Sequence, residues 1–352
     1  MTKLAKSLQD ASLPSHDPFT QIRETGLIVR PATFDDLPAA VTMFNAAERE
    51  WLEDDRYTAE RYEQDWRYPG FDLESATQIV LTPDGSVAGL VEVWDVREPP
   101  THPWIWARVH PSWRDKGIGT AMMQWALSRA RQAENRLDAN VRLAPRTGTV
   151  QNHSPSTKLL EDLGMTPIRY SWTMAIELED PPPPPQWPAN ISLQEYHHPQ
   201  DAEEVYRAHS DAFRDHWGYI EQDFEEGFQQ WKHVNFNINK LDTELWFIAM
   251  DGDEIAGIAL CQPKSDEDPH MGWIDALGVR RAWRQQGLGL ALLYHAFSTF
   301  HERGVKRVGL DVDSNNLTGA THLYQKAGML ILREFVSYEI ELRPGEELAN
   351  IG

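Results

Sequence analysis

A chain of 352 residues is long enough for two domains of ordinary size, each able to bury its own core. Its formal net charge of −21, from 54 acidic against 33 basic residues, argues against a nucleic acid held through its phosphates. One cysteine, Cys261, rules out an internal disulfide, and no stretch reaches the roughly 18 apolar residues of a membrane span, so a cytoplasmic protein with no membrane partner is expected.

Residues 1–25 are polar, with Pro14 and Pro18, and read as a loosely attached arm. A first domain over 26–178 opens on a strand at Leu27–Pro31 and a helix carrying Leu37, Val41 and Phe44, with Asp35 and Asp36 as candidate caps. An aromatic and charged segment follows between Arg49 and Phe71, with Trp51, Tyr57, Tyr62 and Trp66. Gln78–Leu81 and Val87–Val93, joined through Pro83-Asp84-Gly85, read as a hairpin. The next strand ends at Val109, and Arg114-Asp115-Lys116-Gly117-Ile118-Gly119 leads into a helix with Thr120, Met123, Leu127 and Ala130 on one face. Leu137–Leu143 reads as a strand, Asn152 to Gly164 as a loop and short helix, and Tyr170–Leu178 as the strand that closes the first sheet.

Pro181–Pro185 supply no backbone donors and continue neither helix nor sheet, so 179–189 reads as a linker. A second domain over 190–352 repeats the order. Ala202–Phe213 is helical, and His216 and Trp217 fall in the loop after it. Leu245–Met250 and Ile255–Cys261 form a second hairpin, Met271–Val279 a strand, Arg307–Val312 its partner, Thr318–Lys326 a short helix and Ile331–Leu342 the closing strands.

Between Val279 and the helix carrying Leu290, Leu293, Phe297 and Phe300 lies Arg284-Gln285-Gln286-Gly287-Leu288-Gly289. A strand, a turn with two glycines and a helix N-terminus form a site for anionic oxygens, because the backbone can approach closely and the first helical N–H groups have no partner. A pyrophosphate would fit there. An offset of 170 residues carries Arg114 onto Arg284, Gly117 onto Gly287, Gly119 onto Gly289 and Trp113 onto Trp283. The chain holds the unit twice.

This R-x-x-G-x-G turn, followed by Asn315-Asn316 and then Leu323-Tyr324-Gln325-Lys326-Ala327-Gly328, resembles the GNAT superfamily of acyl-CoA-dependent N-acetyltransferases in a tandem two-domain form. The resemblance covers nearly the whole chain. It implies an α+β fold, a mixed sheet flanked by helices in each domain, with acetyl-CoA as co-substrate and a small-molecule or peptide amine as acceptor. The acidic balance suits a cationic amine, though surface charge serves solubility more often.

Acetyl transfer needs a held donor, a neutral amine, stabilisation of the oxyanion and a proton for the departing thiolate. The resemblance places the donor on the backbone of Arg284, Gln285, Gln286, Gly287, Leu288 and Gly289, on the main chain of Leu277, Gly278 and Val279, and near Asn316. In the first half the corresponding residues are Val109, Arg114, Gly117, Ile118, Gly119 and Thr120. Tyr324 matches the family's usual general acid, the other reading being a core tyrosine. Asp275, read as sharing a strand face with residues 277 and 279, is the candidate base, or a structurally bonded carboxylate. His216 and Trp217 are candidate acceptor contacts, and the scattered histidines leave no metal-ligand spacing, so no catalytic metal is expected.

The same offset sets Ile105 opposite Asp275 and Arg108 opposite Gly278, and an offset of 164 sets Leu160 opposite Tyr324. The first domain is therefore expected to be degenerate and the second catalytic. The competing reading is a non-catalytic acyl-CoA-binding sensor or scaffold.

Overall fold

Hairpins and αβ turns, written twice, give each half of the chain six strands of mixed direction. The computed structural model describes residues 17–50, 55–238, 241–266, 268–316 and 319–351. They divide into two compact units: the chain up to Arg169 with Phe335–Leu348, and Tyr170–Glu334 with the last residues from Ala349.

In unit 1 the strands are β1 (Ile28–Arg30), β2 (Thr77–Leu81), β3 (Val87–Trp94), β4 (Trp104–Val109), β5 (Arg146–Val150) and the second half of β12 (Leu330–Glu339), in that order across the sheet. Only β4 and β5 run parallel; the other neighbours are antiparallel. Helix α5 (Ile118–Arg131) covers one face with Met122, Met123 and Leu127, while α2 (Leu37–Glu48) and α3 (Ala59–Trp66) cover the other with Phe44, Tyr62 and Trp66. A single turn, α4 (Leu73–Ala76), leads into β2. Full burial of one such side chain contributes about 2 kcal/mol.

Unit 2 repeats the plan with β7 (Ile191–Glu195), β8 (Trp246–Asp251), β9 (Glu254–Gln262), β10 (Met271–Val279), β11 (Arg307–Asp313) and the greater part of β6 (Thr166–Glu177). Here β10 and β11 are the parallel pair. Helix α9 (Leu288–Glu302) buries Leu292, Leu293, Ala296, Phe297 and Phe300, each standing 170 residues after a buried position of α5. Helices α7 (Ala202–Phe213) and α8 (Phe224–Lys232) pack on the opposite face with Val205, Ala208 and Trp231.

Several expectations are corrected. Tyr170–Leu178 does not close the first sheet: Ser171–Glu177 pairs with Asp313–Arg307 of β11, in unit 2. Phe335–Glu339 pairs instead with Val150–Arg146 of β5, in unit 1. The chain thus leaves unit 1 inside β6, between Arg169 and Tyr170, and not at the proline run, because the main-chain partners of residues 171–177 lie on β11. Leu137–Leu143 is not a strand; only Val141 and Leu143 form isolated bridges, to Glu346 and Arg343, and the strand is Arg146–Val150. Asp36 and not Asp35 stands at the N-cap position of α2, without a side-chain cap bond, and Thr33 caps the short 3-10 turn Phe34–Asp36 ahead of it in a capping box with Asp36.

Within the expected arm, Thr20–Glu24 is a short helix, α1, whose Phe19 and Ile22 are buried in the core of unit 1. The rest of the expected arm, residues 1–16, lies outside the described residues, as do Trp51 and the start of the short helix at Thr318.

Candidate active site

The repeated turn has the same backbone in both units. Gln285 (φ 61°) and Gly287 (φ 87°) are left-handed in unit 2, as are Asp115 (φ 59°) and Gly117 (φ 79°) in unit 1. Such turns bring successive N–H groups to one side, and the helix N-termini at Leu288 and Ile118 add their unpaired donors. A Cβ at Gly287 would meet nothing within 4 Å, so the space beside the turn is open. Gly289 has a further reason to be glycine. Its Cβ would lie 3.1 Å from Leu323 Cδ1, and at Gly119 the corresponding contact is 3.2 Å to Leu159 Cδ2. Helices α10 (Ala320–Lys326) and α6 (Ser154–Asp162) pack against these glycines.

Arg284 braces the turn rather than projecting from it. Its guanidinium donates to Val279 O at 3.0 Å, Ala212 O at 2.9 Å and Asp215 Oδ2 at 2.7 Å. Arg281 and Arg284 together hold the Asp215 carboxyl well below the usual carboxylate range.

Beside the turn is a cavity of about 640 Å³ lined by Leu277, Gly278, Val279, Arg284, Gln285, Gly287, Leu288, Gly289 and Tyr324. Gln286 is not part of it; its side-chain amide donates to Ala282 O at 3.1 Å. Strand β10 pairs with β11 only from Met271 to Trp273. Beyond Trp273 the registered pairing of the two strands ends, leaving the main chain of β10 from Ala276 to Val279 without a β11 partner among the described residues. A slot edged by backbone N–H and C=O groups fits an extended, amide-bearing arm, and the turn at its outer end fits a pyrophosphate.

A smaller cavity of about 120 Å³ adjoins the same residues and is lined by Phe213, His216, Asp275, Asp313, Asn316 and Tyr324. His216, Leu277, Ala320 and Tyr324 belong to both cavities. Asp275 reaches it by a device the alternating pattern conceals. A β-bulge falls between Ile274 and Ala276 in the pairing with β9, so Asp275 is the extra residue, exposed, while Ile274 joins Leu277 and Val279 on one core face. The expected simple alternation of 275, 277 and 279 is thereby corrected.

Tyr324 is 7% exposed, and its hydroxyl makes no hydrogen bond among the described residues. Burial pushes the phenol up from its ordinary value, so it is a neutral O–H donor at pH 7. The His216 ring packs on Phe213 with centroids 4.5 Å apart. Burial first, then the charge of Arg284, push its imidazole down, which leaves it neutral. Trp217 lines neither cavity. Among the described residues no three His, Cys, Asp or Glu side chains are grouped to hold a metal ion.

Unit 1 carries a cavity of about 270 Å³ in the corresponding place, lined by Val109, Arg114, Gly117, Gly119, Thr120 and Leu160. Ile118 is turned away, 1% exposed, into the core. The positions corresponding to Asp275 and Tyr324 are apolar here, Ile105 being fully buried in the core and Leu160 lining the cavity. Arg114 pairs with Glu50, to which His153 Nε2 also stands at 3.0 Å.

Glu48, which the reading of the sequence missed, enters this cavity from the end of α2 and is only 2% exposed. Its spacing after Val41 and Phe44 sets it on the apolar stripe of that helix, and a carboxylate on such a stripe was the available signal. The aromatic segment after it is partly structural: Tyr62 OH and Trp66 Nε1 both donate to buried Glu92 Oε1, at 2.6 and 2.8 Å.

The sequence profile of the acetyltransferase (GNAT) family matches residues 40–165 and again 202–329. The chain belongs to this family and carries its domain twice. It is an acyltransferase, and acyl-CoA is the family's co-substrate. A mycothiol acetyltransferase of Nocardia farcinica is 28% identical over 274 residues, covering 75% of this chain and 82% of that protein. One from Salinispora arenicola is 27% identical, covering 74% and 80%. Among solved structures, a GCN5-related N-acetyltransferase from Sphaerobacter thermophilus is 32% identical with a TM-score of 0.73, covering 92% of this chain and 98% of that one. A tandem GNAT protein from the clavulanic acid biosynthesis pathway shares the fold at 17% identity and a TM-score of 0.65, covering 91% and 100%. No helix among the described residues is long and apolar enough to cross a membrane.

Proposed function

We propose that this protein transfers an acetyl group from acetyl-CoA to a primary amine of a small molecule or peptide, and that the chemistry takes place in unit 2. The observation that carries the reading is the meeting of Tyr324 and Asp275 at one cavity, where unit 1 has Leu160 and Ile105.

In this reading the backbone from Arg284 to Gly289 holds the pyrophosphate, and the unpaired edge of Leu277, Gly278 and Val279 holds the pantetheine arm. Asp275, exposed at the bulge, accepts the ammonium proton directly or through water, and His216, kept neutral, is the second acceptor within the same cavity. Tyr324 gives its hydroxyl proton to the departing thiolate. A thiol's ordinary pKa is about 8.5. The burial that raises the phenol also disfavours the thiolate left in the same place, which keeps the two within transfer range. Asp275 and Asp313 around the inner cavity favour an acceptor that arrives as a cation. The relatives' name, mycothiol acetyltransferase, supplies the first acceptor series to try.

Unit 1 keeps the turn and an open cleft without the inner acid–base pair, which supports CoA binding there without turnover. The test is release of free thiol from acetyl-CoA with a panel of small amines, on the wild type and on chains altered at Tyr324 or Asp275. Amine-dependent release that is lost in both variants supports the reading; release unaffected by either overturns the assignment to unit 2.

A further inference from the structure

At the inner end of the unit 1 cleft, where unit 2 carries Asp275 and Tyr324, the polar groups come from other elements. Offsetting α2 by 165 residues onto α7 sets Glu48 where unit 2 has Phe213, and Glu50 where it has Asp215. Glu48 is 2% exposed, yet it lines the cavity. Its Oε1 is heavily used: Arg108 donates to it from Nε at 3.0 Å and Nη2 at 2.9 Å, and Tyr57 OH at 3.1 Å. Its Oε2 accepts no hydrogen bond from any of the described residues, with Arg56 Nη1 standing 3.6 Å away. Leaving a buried carboxylate oxygen without a donor is unfavourable, and such an atom calls for an explanation.

We infer that Glu48 is a ligand-binding residue. Its Oε2 accepts a hydrogen bond from an amide N–H of a pantetheine arm lying in the unit 1 cleft, an inference that rests on the proposed CoA site there. The electrostatics select the donor. Arg56 and Arg108 flank the one carboxylate, so an ammonium would meet two cations against one anion. A neutral N–H satisfies Oε2 without that repulsion. Arg108 cannot take the place of the ligand: its third nitrogen, Nη1, already donates to Ala107 O at 3.0 Å. Val109, Met123, Leu159 and Leu160 supply the apolar walls that the methylene groups of such an arm require. Unit 2 has no equivalent, since Phe213 occupies the position and the carboxylates at its inner cavity stand on other strands. The two clefts would therefore hold the same kind of arm by different inner contacts.

The experiment compares CoA with 3′-phosphoadenosine 5′-diphosphate, which keeps the 3′-phosphate and the whole pyrophosphate but lacks the pantetheine arm. Hydrogen exchange followed by mass spectrometry reads each turn separately, through peptides covering 114–120 and 284–290 of the full chain. In the wild type both ligands should protect 114–120, CoA at a tenfold or more lower concentration. Glu48→Gln should erase that advantage at 114–120, leave protection by the arm-less nucleotide unchanged and leave 284–290 unaffected for both ligands. A CoA advantage that survives in Glu48→Gln, or is missing from the wild type, overturns the role of Glu48. If neither ligand protects 114–120 in the wild type, the CoA site of unit 1 itself falls. Should Glu48→Gln lose protection by the arm-less nucleotide as well, Glu48→Asp keeps the charge toward Arg108 but draws the carboxylate back by one methylene. It must then lose the CoA advantage alone; if it keeps that advantage, the inference fails.

Discussion

Arg284 donates from Nη1 to Asp215 Oδ2 at 2.7 Å, and Arg114 pairs with Glu50 at the corresponding place in the first half. In both units the arginine of the glycine turn is thus spent on the loop after the first long helix. In unit 2 that loop carries His216 one residue after the carboxylate. In the proposed reaction this brace joins the turn that holds the donor to the side where the acceptor binds, so a change at Asp215 should be felt by the amine more than by CoA. Asp215→Asn removes one charge of a partly exposed pair, a loss of about 1 kcal/mol or less. The expected outcome is a several-fold rise in KM for the amine with CoA affinity held within twofold, measured by steady-state kinetics and calorimetry.

The two glycines of the unit 2 turn should fail in different ways. Gly287 is left-handed with open space beyond it, so Gly287→Val places a β-branched residue at φ 87° and fills the ligand side of the turn. CoA binding at 284–290 should disappear, while melting temperature falls by only the local strain. Gly289→Ala leaves the ligand side alone but sets a methyl 3.1 Å from Leu323 Cδ1. It should lower stability through the packing of α10, with CoA affinity changed less than in Gly287→Val. Calorimetric titration and thermal melts of both variants separate the two.

The exchanged closing strands predict that a late residue governs the early unit. Val336 is 2% exposed in the core with Met122 and Leu127 of unit 1, whereas Met174 is fully buried among Leu292 and Phe297 of unit 2. Burying an unpaired charge at either place costs several kcal/mol. Val336→Asp should raise hydrogen exchange in α5 and β5, and Met174→Asp in α9 and β11. The opposite assignment would restore the simple order in which each half closes its own sheet.

These particulars also show what could be read from residues alone. The hairpins, the paired turns and the buried stripe of α9 rest on local signals: a glycine turn between apolar runs, or a spacing of three and four. The partner of a strand is not local. Tyr170–Leu178 and Ile331–Leu342 both look like closing strands, and nothing in their composition says which sheet each completes. The bulge at Asp275 is silent for a similar reason, because one extra residue in a strand changes the register and not the residue types. Phe19 and Ile22 are lost among polar neighbours although their spacing of three suits one turn of helix. Glu48 is hidden by the opposite bias, a charged residue at the end of an apolar face reading as solvated surface.

If His216 accepts the amine proton as proposed, it should set the acid side of the pH profile. Its imidazole is pushed below the ordinary value of about 6.5, by burial and then by the positive charge of Arg284. A lowered value means that protonation, and with it loss of an acceptor for the amine proton, requires more acid than for a solvent-exposed histidine. Turnover per encounter should therefore hold as pH drops from 8 to about 6.5, falling only below that. In His216→Asn the limb that belongs to the imidazole should disappear from kcat/KM, leaving the ionisation of the amine. An unchanged acid limb in that variant would exclude His216 from the proton path.

Turnover should depend on Tyr324 and not on Leu160, its counterpart in the first half. Both side chains line their clefts, and only the phenol carries a proton to give. Tyr324→Phe removes one oxygen that makes no hydrogen bond among the described residues, so packing, stability and CoA affinity should hardly move. Loss of a general acid costs about 10²-fold or more in the chemical step. Leu160→Ala, by contrast, opens space beside the unit 1 cleft and should lower stability by about 2–4 kcal/mol with little effect on turnover. Slow product release would mask the chemistry, and a water admitted where the hydroxyl stood could replace the phenol in part. Single-turnover measurements with a reactive amine remove the first difficulty, and the pH dependence of the residual rate exposes the second. If the single-turnover rate of Tyr324→Phe matches the wild type across the working pH range, the departing thiolate takes its proton from another group, and the assignment of catalysis to unit 2 loses the residue that most distinguishes it.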